Sequence, residues 1–81
     1  VGRDRFVRNV LIAIGNSGDT ELAGVAERLL DDASPLVRGA AVWVLSRLCG
    51  HEEFAALEHT HGARESDADV IGEWVDGRSA A

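Results

Sequence analysis

The chain has 81 residues, 46% of them hydrophobic and 27% charged, and its fourteen Asp and Glu against eight Arg leave a formal net charge of -6. So short a chain forms one small domain that buries only about 60% of the surface its unfolded form exposes. Its acidity excludes a general attraction to nucleic acid, which depends on Lys and Arg meeting phosphate, so any RNA contact has to come from a local basic patch.

The first predicted helix covers residues 4–15: Phe6, Val10 and Ile14 stand four apart with Val7 and Leu11 beside them, and Gly15 to Gly18 forms the stop. The second covers 19–31, opened by Asp19 as cap and carrying Leu22, Val25, Ala26 and Leu29 at i, i+3, i+4 and i+7. Ser34-Pro35 starts the third, 34–49, because serine accepts from an orphan amide and proline at the first helical position gives up nothing. Val37, Ala41, Val44 and Leu48 share one face of it, and Gly50 follows where a left-handed residue is wanted. The fourth helix, 51–61, places Phe54 and Leu57 three apart and ends at Gly62. Ser66 and Asp69 make a capping-box-like start for the fifth, 67–76, with Val70, Ile71, Trp74 and Val75. No stretch reads as a strand, so the expected class is all-α.

Cys49 is the only cysteine. That rules out an internal disulfide and any cysteine-ligated cluster built by these residues alone, and fits a reducing, cytoplasmic setting. The longest apolar stretch, Ala40 to Leu45, is far below the roughly 20 residues of a transmembrane helix, so no membrane partner is expected. The chain opens Val-Gly and contains no Met, Lys or Tyr. The expectation is a single domain over residues 1–81 that belongs to a longer protein.

Residues Ala13 to Asp19 align with Val44 to Gly50 at an offset of 31, and Leu22-Ala23 falls over Phe54-Ala55 at an offset of 32. Two helix-pair units plus a terminal helix are the pattern of an α-solenoid fragment, each unit burying its apolar face on the next. SPLVRGAAVWVLSRL (Ser34 to Leu48) resembles a HEAT repeat, whose first helix carries Pro, then Val-Arg, small apolar residues and a Leu-Gly; here Ser46 stands at that glycine.

RNVLIAIGNSGD (Arg8 to Asp19), followed about fifteen residues later by that stretch, resembles the C-terminal HEAT-like region of bacterial tRNA epoxyqueuosine reductases, an iron-sulfur cluster-binding family. The likeness is close over residues 3–49 and loose over 50–76. It implies a parent oxidoreductase in queuosine modification of tRNA, which reduces the wobble-position epoxide with cobalamin and two [4Fe-4S] clusters held by an upstream catalytic domain. This chain would then help dock the tRNA anticodon arm. The cluster motif and catalytic acid of that region have no counterpart here, so no catalytic residue is assigned. The alternative is a HEAT-repeat protein-interaction scaffold fragment with no RNA role.

Arg3, Arg5 and Arg8 precede or open the first helix, and Arg5, Arg8, Asn9 and Asn16 share one stripe of it. They are candidates for phosphate contact; the other reading is a solvated helix face with Asp4 as partner. Arg38 is a further RNA candidate, but HEAT repeats commonly tie such an Arg to an Asp in the turn before its own or the next helix. Asp32 stands in that place, and the planar guanidinium suits a carboxylate in a half-buried turn.

Ile12 and Trp43 superpose at the repeat offset of 31 and read as repeat-stacking positions, Trp43 on an adjacent helix and Ile12 on an upstream neighbour. The competing reading makes Trp43 a platform for an unstacked base. His51, His59 and His61 with Cys49 lack zinc-site spacing and read as exposed polar residues, so no metal ligand is assigned. Asp31-Asp32 and Glu52-Glu53 read as helix-end charges. No nucleophile and base stand in a catalytic pattern.

Overall fold

The computed structural model describes residues 2–80. Its elements are α1 (Gly2–Ser17), a 3-10 turn (Thr20–Leu22), α2 (Ala23–Leu29), α3 (Pro35–Leu48), α4 (His51–His61), a second 3-10 turn (Gly62–Arg64) and α5 (Ala68–Ala80), with no strand among the described residues. Helices α1, α3 and α5 lie side by side as one layer with α3 in the middle; α2 packs behind α3, and α4 leans on α5. The arrangement is two helix pairs and a terminal helix.

The central helix explains the layer. Val37, Ala40, Ala41, Val42, Val44, Leu45 and Leu48 of α3 are all buried, far more than the single face that the four-three-four spacing marks. A helix that is apolar nearly all round needs neighbours nearly all round. It receives them from α1, α2 and α5. Phe54 of α4 and Trp74 of α5 close the far end of the core, their ring centroids 5.2 Å apart and tilted by 46°, a geometry aromatic pairs favour over flat stacking.

Several local expectations need correction. In α1 the inward residues are Leu11 and Gly15, with Val7 and Ile14 packed against the core. Phe6 and Val10 point outward, 69% and 42% exposed. The apolar run is therefore split between the core and the outer flank of the layer. Gly15 lies inside the helix, and the stop comes at Gly18, whose φ of +71° is the left-handed conformation glycine adopts freely.

Gly50 is extended, with φ -71° and ψ 166°, because it already serves as N-cap of α4; α3 ends without a left-handed residue. The second predicted helix opens as a 3-10 turn, with Asp19 accepting from the Glu21 amide at 3.0 Å, and its regular part is only Ala23–Leu29. At the start of α5 the capping side chain is Asp67, not Ser66: its Oδ1 accepts from the amides of Asp69 at 2.9 Å and Val70 at 3.2 Å. No described helix is long and apolar enough to cross a membrane.

Candidate nucleic-acid interface

The basic residues of α1 divide by direction. Arg5, Arg8, Asn9 and Asn16 are all exposed, and the helical period sets them along one stripe. Arg8 Nη1 donates to Asn9 Oδ1 at 3.2 Å, and neither Arg5 nor Arg8 is ion-paired among the described residues. These four side chains together present guanidinium and amide donors to solvent.

Arg3 stands apart from that stripe. Its guanidinium grips Asp32 through Nη1 at 2.9 Å and Nη2 at 2.7 Å, with Asp4 at 3.0 Å. The bidentate contact, helped by the Ser34 amide, draws the Asp32 carboxyl from 3.8 to about 2. Arg38 is likewise committed. Its Nε and Nη2 meet Glu65 at 2.9 and 3.0 Å, while Nη1 donates to the carbonyls of Asp32 and Ala33. The Arg38 side chain is 19% exposed and that of Glu65 7%, so this arginine holds turns together and offers little to RNA. The Asp32 carboxylate expected for Arg38 is instead bound to Arg3; Arg38 takes the acid of the following turn.

These contacts expose a repeat the offset of 31 does not capture. Asp32 Oδ2 accepts from the amide two residues on, Ser34, and Glu65 Oε2 does the same for Asp67, both at 3.0 Å. Ser34 and Asp67 then cap α3 and α5. Asp32 to Val37 (DASPLV) thus superposes on Glu65 to Val70 (ESDADV) at an offset of 33. Each acid ties an arginine of the preceding layer helix to the turn that launches the next. The family of HEAT repeats matches residues 4–75.

The chain belongs to the HEAT-repeat family. No curated protein and no solved structure matches it. In this HEAT unit Trp43 is half-buried against α1: a Cβ at Gly15 would overlap its ring. Arg47 sits over the same ring at 5.2 Å from the centroid, and its Nε donates to the Gly15 carbonyl at 3.2 Å. Ile12 is half-buried and lines, with Trp43, a groove above α3 bounded by α1 and α5.

The groove was not foreseen from the sequence, nor was Glu65; the repeated acid two residues before each cap is the signal that finds the latter. His51 and His59 are exposed, and His61 lies 3.7 Å from Asp31 beside Arg64. Among the described residues no three His, Cys, Asp or Glu converge as metal ligands.

Proposed function

We propose that this HEAT-repeat chain is the C-terminal docking portion of a cytoplasmic tRNA epoxyqueuosine reductase, holding the anticodon arm for a catalytic domain elsewhere in the protein. One observation supports the RNA role beyond the resemblance: Arg5 and Arg8 stand exposed without a carboxylate partner among the described residues, and Asn9 and Asn16 extend their stripe. Phosphate contacts from such donors fix position and register without reading sequence, which suits a docking element.

Cobalamin and the two [4Fe-4S] clusters would be held outside these residues. A cluster takes several thiolates, whereas this chain has one cysteine. Burial, with Glu53 nearby, pushes the Cys49 thiol up to about 11, which keeps it protonated and a poor ligand. No reaction step is assigned to this chain.

A parent enzyme with and without the segment corresponding to residues 1–81 tests the proposal. The truncated enzyme should keep its cluster absorbance while its KM for tRNA rises by roughly tenfold or more, the weakening expected from removing several phosphate-binding side chains. An unchanged KM would overturn it.

The rival reading, a protein-interaction scaffold, draws support from the carboxylates of Asp67, Asp69 and Glu73 on the α5 wall of the groove, which repel phosphate. The parent's upstream sequence separates the two readings. A C-x2-C-x2-C-x3-C-P run favours the reductase, and further HEAT repeats favour the scaffold.

A further inference from the structure

The groove above α3 exists because Gly39 and Ala40 are too small to fill the space between Ile12 and Trp43 on one side and Val70 on the other. It is an open groove of about 510 Å³, the size class of a site for a small ligand or a few side chains. Its walls differ in sign: Arg8 stands on the α1 side, and Asp67, Asp69 and Glu73 on the α5 side.

Asp67 is used up in capping α5. Asp69 and Glu73 have no side-chain partner among the described residues. Glu73 is half-buried, and that burial, with Asp76 nearby, holds its carboxyl above the ordinary value. A half-buried carboxylate without a partner is a cost that an incoming cation would relieve.

We infer that this groove receives a segment of a partner protein in which a bulky apolar side chain stands next to a Lys or Arg. The apolar side chain would lie over Gly39 and Ala40 between Trp43 and the exposed Leu36, and the cation would face Glu73 and Asp69. The inference goes beyond the tRNA reading and does not depend on it. The acidic wall disfavours a nucleic-acid backbone at this place, and the RNA stripe of α1 only borders the groove at Arg8.

A library of random 12-residue peptides displayed on phage, selected against the 81-residue chain, tests it. The enriched sequences should carry Lys or Arg within four positions of Leu, Ile, Phe or Trp. A synthetic peptide of the enriched consensus should lose binding at least tenfold to Gly39→Leu, which fills the floor. It should keep binding to Gly39→Ala, whose Cβ would sit 3.8 Å from Glu73 Cγ and 3.9 Å from Val70 Cγ2, ordinary contact distances. Asp69→Asn with Glu73→Gln should weaken it by about threefold to tenfold, the scale of two exposed charge pairs. Circular dichroism checks that each variant is folded. Enrichment that is acidic, or indifferent to Gly39→Leu, would overturn the inference. So would an RNA stem-loop that displaces the peptide and itself loses binding to Gly39→Leu.

Discussion

Arg38 in α3 and Glu65 in the turn before α5 meet fork to fork, Nε to Oε1 at 2.9 Å and Nη2 to Oε2 at 3.0 Å. The third nitrogen of the same guanidinium donates to the carbonyls of Asp32 at 2.9 Å and Ala33 at 3.0 Å. One side chain thus ties the turn before α3 to the turn before α5. Arg3 and Asp32 make the corresponding tie one unit earlier.

The two ties differ in burial, and so should their substitutions. Glu65→Ala leaves a mostly buried guanidinium without its carboxylate and removes the acceptor for the Asp67 amide. A loss of about 2 kcal/mol is expected from urea unfolding, since an orphaned buried charged partner carries most of the desolvation penalty. Asp32→Ala should cost less, because Arg3 is 58% exposed and can return to water. Equal losses would show that the following-turn bridge is not special.

Glycine substitutions should split by sign. At Gly15 an added Cβ would overlap the Trp43 ring, and at Gly77 the Phe54 ring. Either Ala variant should destabilise by about 1–3 kcal/mol through overpacking, outweighing the gain in helix propensity. At Gly72, inside α5, a Cβ would meet nothing within 4 Å, so Gly72→Ala should stabilise by about 0.5–1 kcal/mol. Thermal or urea unfolding of the three variants decides it, and stabilisation by Gly15→Ala would contradict the seating of Trp43.

Acid should loosen the fold through the same turn acids. Asp32 is drawn to about 2 from 3.8, and Glu65 is also lowered, chiefly by its hydrogen bonds to Arg38. A carboxyl lowered in the fold stabilises it above the unfolded value and loses that contribution as pH falls through the folded one. The difference in urea midpoint between the wild type and Asp32→Asn should be steady above about pH 5 and shrink progressively as the pH falls from there toward 2. A difference that stays constant over that range would remove the Arg3–Asp32 tie from the stability of the fold.

The elements were legible in the sequence where local chemistry decides them. Ser34-Pro35 launches α3 because cap and first-turn geometry depend on those two residues alone, and the class follows from apolar spacing of three and four. Which face of α1 is inward was not legible, since Phe6, Val7, Val10, Leu11 and Ile14 cover too wide an arc for periodicity to choose. Only the position of α3 selects Leu11 and Gly15. Arg3, Arg5 and Arg8 likewise look equivalent in sequence. They separate when the turn before α3 brings Asp32 to Arg3 and leaves the others in solvent. The groove arises from three helices meeting over two small residues, a relation among distant segments that no local pattern encodes.

The stripe of Arg5 and Arg8 carries the proposed docking role, and its most direct test is tRNA binding by the full-length parent at several salt concentrations. The wild type is compared with the double variant Arg5→Ala, Arg8→Ala, whose cofactor content serves as control. Neither side chain is ion-paired among the described residues, so the variant should fold and keep its cofactors. It should bind tRNA more weakly, and the plot of log affinity against log salt should flatten by about one to two units, slightly under one for each phosphate no longer neutralised. Superimposable plots for the two proteins would contradict the docking role and leave the scaffold reading in its place.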